Sequence, residues 1–108
     1  MEVQFPQHKT PSMSAYIIFT RIKTLDQKEL EIYWSLIKET MVGHPIEVLV
    51  PYGNFEVLEG NEIEGIVIAK FPDISSAKGW FESEAYKKAA SHRKKGALYS
   101  GILVEGLS

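Results

Sequence analysis

Three short runs of consecutive large apolar residues constrain the fold of this chain more than any other feature. They occupy residues 17–19, 66–68 and 102–104, and they read IIF, IVI and ILV. A strand buried on one face alternates apolar and polar residues, whereas a strand buried on both faces is apolar throughout. The three runs therefore predict strands of one sheet with apolar cover on each side.

The sequence around these runs predicts four strands and two helical stretches in the order βαββαβ. Pro51 cannot donate a hydrogen bond to a neighbouring strand, so the strand that contains it is expected to lie at an edge of the sheet or to bend there. The expected strands are residues 15–23, 46–60, 65–72 and 98–106, and the second helical stretch is 74–96.

The helix ends carry recognisable capping residues. Asp26 is a good N-cap for the first helix, and Glu29 three positions later completes a capping-box pattern; Gly43 ends this helix. Ser83 breaks the second stretch and can cap a new helical segment. Gly96 is expected to end that segment in the left-handed conformation.

The order βαββαβ is that of the ferredoxin-like split βαβ pattern, an α+β fold. It predicts an antiparallel four-stranded sheet with two helices on one face. Two helices cover only one face, yet the apolar runs require cover on both. A second copy of the chain would supply it, so we expect a homodimer with its sheets face to face.

Composition limits the other classes of protein. The chain has 108 residues, a formal net charge of −2 and no cysteine, which predicts one domain without disulfides and without a general attraction to nucleic acid. Its apolar runs are too short to span a membrane. We expect residues 1–13 to form a flexible N-terminal tail, residues 14–108 to form a single domain, and the location to be cytoplasmic.

Motifs of high specificity for catalysis are not found in the sequence: there is no glycine-rich phosphate loop, nucleophile elbow or paired-histidine zinc motif. His44 and His92 have no second histidine or cysteine three or four positions away. We therefore predict neither a metal site nor a cofactor.

The segment 84–106 holds the candidate catalytic residues His92, Arg93 and Glu105. In one interpretation, positive charge near Gly96 only complements the helix dipole. In the other, Arg93 points inwards and pairs with Glu105 at a strand end, or one of His92 and Glu105 acts as a general base. Lysines on the opposite side of the helix favour an inward Arg93.

The candidate ligand-binding residues are aromatic: Trp34, Tyr52, Trp80, Tyr86 and Tyr99. Each has a simpler structural interpretation. Trp80 can belong to the core instead of a pocket wall, and Tyr52 can belong to a surface turn beside Pro51 instead of a site border.

Five segments resemble, in order and spacing, the domain of unknown function 1330 family of the dimeric α+β barrel superfamily. They are VLEG (57–60), EGIVIAKFP (64–72), AKGWFESEAY (77–86), HRKKGALY (92–99) and VEG (104–106). Relatives tend to carry proline at the position of Glu84 and charged residues at those of Leu98 and Ser100. The ligand or activity of this chain is therefore expected to differ from theirs, or to be lost.

The resemblance implies a small bacterial-type protein with a ferredoxin-like fold and a face-to-face dimer, without an established reaction. Similar members of the superfamily include cofactor-free monooxygenases, isomerases and polyketide cyclases. Two hypotheses follow: a small-molecule pocket with cofactor-independent enzyme activity, or a non-catalytic dimeric module that binds a metabolite or a protein. A ligand-sized cavity containing Arg93 favours the first, and a filled interior with Arg93 paired to a carboxylate favours the second.

Overall fold

The fold is known from a computed structural model that describes residues 13–107. The predicted tail lies outside the described residues except for Met13. Seven elements follow in chain order: β1 (Ala15–Thr24), α1 (Gln27–Thr40), β2 (Glu47–Pro51), β3 (Gly65–Phe71), α2 (Ile74–Phe81), α3 (Glu84–Gly96) and β4 (Ala97–Glu105).

The four strands form one antiparallel sheet in the order β2-β3-β1-β4. This order confirms the ferredoxin-like prediction. Pro51 is the last residue of edge strand β2, as expected from its missing N–H. The predicted strand at 46–60 was too long, because Tyr52 adopts a positive φ of 56° and turns the chain out of the ladder.

Strand pairing assigns each apolar side chain to one face of the sheet. Ile17 and Phe19 of β1 are buried on the face that carries the helices, which we call the inner face. Ile18 points to the outer face, where it lies opposite Ile68 on one side and Ile102 on the other. The apolar runs thus place large apolar side chains on both faces of the sheet, as the sequence predicted.

The outer face carries no helix, and its large side chains are only partly covered in a single chain. Ile102 and Val104 are 58% and 44% exposed. They share this face with Ile18, Ile66 and Ile68. Within residues 13–107, no helix is long and apolar enough to cross a membrane.

The two predicted N-caps are formed. Asp26 accepts a hydrogen bond from the Lys28 N–H, and Ser83 accepts one from the Tyr86 N–H. The predicted capping box does not form. The Asp26 N–H donates to the Gly96 carbonyl at 2.9 Å, and the Glu29 carboxylate instead forms a hydrogen bond with His92.

Gly96 differs from its predicted role. It is the last residue of α3 and is not in the left-handed region. A Cβ at this position would lie 2.9 Å from both the side chain and the backbone nitrogen of Leu30. Glycine is therefore needed because α3 passes directly over the first turn of α1, not because the helix ends in a left-handed residue.

Candidate functional site

A cavity of about 170 Å³ lies between α1 and the inner face of the sheet. A cavity of this size can hold a molecule of roughly one aromatic ring. Its walls come from α1, β2, β3, the β1 centre and α2. The lining residues are Phe19, Tyr33, Trp34, Ile37, Met41, Ile46, Val48, Pro51, Tyr52, Val67, Ala69 and Trp80.

Polar groups collect where Trp34 and Tyr52 border this cavity. The Trp34 indole N–H donates to the Tyr52 hydroxyl at 3.2 Å. The hydroxyl of Tyr52 lies 2.5 Å from that of Tyr99, which β4 contributes across the sheet. Three of the five predicted ligand-binding residues therefore form one hydrogen-bonded group.

The position of Tyr52 depends on an unusual backbone and on a neighbouring glycine. A non-glycine residue rarely adopts a positive φ, and such conformations cluster at functional sites. The ring of Tyr52 lies against Gly65, where a Cβ would come within 2.7 Å of the ring atom Cδ1. The Tyr52 N–H donates to the Ile66 carbonyl at 3.0 Å. These contacts hold the hydroxyl in place.

Arg21 packs against the rings of Trp34 and Tyr52, and this role was not predicted from the sequence. Its guanidinium carbon lies 5.6 Å from the Trp34 ring centroid and 5.1 Å from that of Tyr52. Its Nε is 3.6 Å from the Glu64 carboxylate. Glu64 in turn accepts hydrogen bonds from the backbone N–H and the hydroxyl of Thr24. Alternation along β1, which places Arg21 on the same face as Phe19, was the available signal.

The buried tyrosines remain protonated at neutral pH. Burial, followed by the hydrogen bond with Tyr52, raises the pKa of Tyr99, and the nearby Arg21 guanidinium opposes this rise only in part. Burial likewise raises the pKa of Tyr33 and of Tyr86, whose hydroxyls lie 3.0 Å apart. These three phenols are therefore neutral hydrogen-bonding groups and do not act as bases.

Trp80 serves both of its predicted roles. It is 2% exposed and packs against Tyr86 with ring centroids 4.2 Å apart, so it belongs to the core. It also lines the cavity, and its indole N–H donates to the Thr40 hydroxyl at 3.1 Å. Tyr86 is fully buried behind the cavity and does not line it.

Arg93 points inwards, as predicted, with 8% of its surface exposed. Its guanidinium carbon lies 5.5 Å from the Phe19 ring centroid and 5.3 Å from that of Tyr99. The prediction that Arg93 pairs with Glu105 is wrong. Glu105 is exposed and pairs in register with Ala15, about 20 Å along β4 from Tyr99. Arg93 does not line the cavity.

His92 lies outside the cavity as well. Its Nδ1 is 2.9 Å from the Glu29 carboxylate, and this contact joins α3 to α1. Both side chains are about three-quarters buried. The three candidate catalytic residues His92, Arg93 and Glu105 are therefore at three separate places, and the structure does not bring them together. No cluster of three or more metal-ligating side chains occurs within the described range 13–107.

The family model of a domain of unknown function, DUF1330, matches residues 14–107. The chain belongs to that family. No curated protein matches the sequence. Membership in DUF1330 confirms the resemblance carried by the five sequence segments, and it does not bring a reaction with it.

Solved structures with the same fold include a protein that is described as dimeric. A protein of unknown function from Rhodopseudomonas palustris is 15% identical with a TM-score of 0.72, covering 94% of this chain and 88% of that one. A dimeric ferredoxin-like protein of unknown function from Thermobifida fusca is 10% identical with a TM-score of 0.62, covering 97% of each.

A third similar structure has a known activity. SnoaB from Streptomyces nogalater, a cofactor-independent oxygenase, is 9% identical with a TM-score of 0.60, covering 90% of this chain and 96% of that one. At these identities the likeness to this DUF1330 chain concerns the fold alone. The fold of this chain is therefore ferredoxin-like.

Proposed function

We propose that this chain is a homodimeric small-molecule-binding protein in which the cavity of each subunit holds one small aromatic molecule. The observation that carries the proposal is the Trp34–Tyr52–Tyr99 hydrogen-bonded group at the border of a 170 Å³ apolar cavity. Ligand sites combine this kind of apolar wall with a few placed polar groups.

The hydrogen bonds of Tyr52 indicate what the ligand carries. A phenol has one proton to donate and can accept two hydrogen bonds. If Tyr52 accepts from Trp34 and from Tyr99, its own proton remains free for a ligand oxygen. The ligand class is thus a small aromatic molecule with one phenol or carbonyl oxygen.

Two forms of this function remain, as in the sequence analysis. One is cofactor-independent catalysis of the oxygenase, isomerase or cyclase type, which the fold of SnoaB supports. The other is binding without a reaction. None of the described residues that line the cavity carries a carboxylate or imidazole, so the cavity wall offers no general base. This observation favours binding, or oxidation of a substrate that loses its proton in water before it enters.

Binding of phenol and of toluene, which has nearly the same shape, tests the proposal. We expect calorimetry to show that both ligands bind, with a ratio of phenol affinity to toluene affinity about fivefold higher for wild type than for Tyr52→Phe, as one hydrogen bond provides. The ratio is compared between the two proteins because phenol also loses its hydrogen bonds to water when it enters the cavity. Val48→Trp at the cavity wall should block both ligands, whereas Leu49→Trp, equally exposed and outside the lining, should block neither. Equal binding of both ligands to wild type and to Val48→Trp would contradict the proposal.

Oxygen uptake tests the oxygenase type of catalysis. Wild type and Val48→Trp are compared with electron-rich phenols under air, because catalysis in the cavity would give uptake that only wild type supports. Equal uptake by both proteins would show that the cavity does not oxidise these phenols.

A further inference from the structure

We propose a second binding site, a carboxylate site at Arg93 in the groove between α3 and β4. This groove has a volume of about 390 Å³ and opens to solvent. It is separate from the cavity and does not depend on the function proposed for that cavity. Its lining residues are Phe19, Phe81, Arg93, Lys94, Ala97, Leu98, Tyr99 and Gly101.

The first observation is that Arg93 is buried without a carboxylate partner among the described residues. A buried guanidinium normally pairs with a carboxylate, because an unpaired charge in the interior is costly. No carboxylate between residues 13 and 107 lies within 4.0 Å of Arg93. Its Nε is buried and has no hydrogen-bond partner in the same range. The guanidinium also interacts with the Tyr86 hydroxyl, where it opposes the rise in pKa that burial causes. A neutral phenol does not balance the charge, so Arg93 retains the capacity to bind an anion.

The surroundings of Arg93 are the second observation. The rings of Phe19 and Tyr99 hold the guanidinium between α3 and the sheet, so its position is set before any ligand arrives. Lys94 adds a second positive charge at the groove. The rest of the lining is mainly apolar, with Phe81 and Leu98 both about half exposed.

These features define the class of ligand. A guanidinium binds a carboxylate through two parallel hydrogen bonds, and aromatic and aliphatic walls accept an apolar body. The ligand is therefore a small monocarboxylate with an aromatic or branched aliphatic body.

Benzoate and benzamide provide the test, because they share a shape and differ in charge. We expect benzoate to bind wild type at least about tenfold more tightly than benzamide, in a titration followed by calorimetry. Arg93→Met should lose this difference, and Lys95→Met, an exposed change on the same helix outside the groove, should keep it. Val48→Trp should also keep it, which separates this site from the cavity.

A measurement on wild type covers the case in which Arg93→Met does not fold. In ¹⁵N-resolved spectra, benzoate should shift the Nε–H signal of Arg93 and leave that of Arg21 in place. Benzamide should shift neither. Benzoate binding that spares the Arg93 signal, or equal affinity for benzoate and benzamide, would overturn the proposal.

Discussion

The hydroxyls of Tyr52 and Tyr99 lie 2.5 Å apart, although the residues are 47 positions apart in sequence. Tyr52 follows edge strand β2 and Tyr99 lies on β4 at the opposite edge of the sheet. Their hydrogen bond therefore spans the inner face above the two central strands. It joins the loop that borders the cavity to the element that borders the Arg93 groove.

This bond should be measurable as a coupling between the two residues. In a double-mutant cycle of Tyr52→Phe and Tyr99→Phe, we expect a coupling free energy of about 1 kcal/mol by chemical denaturation. Tyr52→Phe alone should cost more than Tyr99→Phe, because it also leaves the Trp34 N–H without its acceptor. Additive effects would show that the two hydroxyls do not interact in solution.

Two helical glycines should respond to alanine in opposite directions. At Gly96 a methyl group would meet Leu30 at 2.9 Å, and part of the contact is backbone that cannot move aside. We expect Gly96→Ala to lower the free energy of unfolding by about 2 kcal/mol. Gly79 in α2 has nothing within 4 Å of that position, so Gly79→Ala should raise it by about 0.5–1 kcal/mol. A stabilised Gly96→Ala would contradict the close approach of α3 to α1.

The sequence predicted the features that depend on neighbouring residues along the chain. The Asp26 and Ser83 caps, the edge position of Pro51 and the two apolar faces all follow from local pattern. Glu29 shows where such reasoning ends: its pattern fitted a capping box, yet it bonds to His92, because α1 and α3 pack side by side.

Arg93 and Arg21 also show that local sequence does not predict contacts between elements. The inward direction of Arg93 was predictable from the helix face, but its aromatic neighbours depend on the register of β1 against β4. Arg21 was missed for this reason, since only strand pairing places it opposite Tyr99. Contacts across elements therefore required the structure.

Arg93→Met should leave the free energy of unfolding within about 1 kcal/mol of wild type or raise it. Methionine keeps much of the packing on Phe19 and Tyr99 and removes a buried charge that lacks a carboxylate partner. Pairing with Glu105, as expected from the sequence, would instead predict a loss of about 3 kcal/mol. Chemical denaturation distinguishes the two results.

Glu64 should contribute to the pH dependence of stability. Hydrogen bonds from Thr24, first its hydroxyl and then its backbone N–H, lower the pKa of Glu64 below its usual value of 4.5. The unfolded chain therefore binds this proton more readily than the folded one. The stabilisation is present above the usual pKa and is lost as pH falls through the folded pKa.

We expect the stability difference between wild type and Glu64→Gln to be constant from about pH 7 to pH 5 and to shrink at lower pH. Thr24→Val, which removes the hydroxyl donor, should weaken this acid dependence. A difference that grows on acidification would contradict a lowered pKa.

The outer face of the sheet should hold the dimer together. Ile18 lies at its centre between Ile68 and Ile102, and the neighbouring apolar side chains remain half exposed in one chain. We expect wild type to have the mass of two chains by light scattering at micromolar concentration. Ile18→Glu should give a folded monomer, because a carboxylate facing its own copy across the two-fold axis would be buried beside a like charge. Leu58→Glu, at an 85% exposed position in the loop before β3, should remain dimeric.

Circular dichroism checks that each variant is folded, and Ile102→Glu provides a second change on the same face. Monomeric wild type, or dimeric Ile18→Glu and Ile102→Glu, would show that this face does not form the interface.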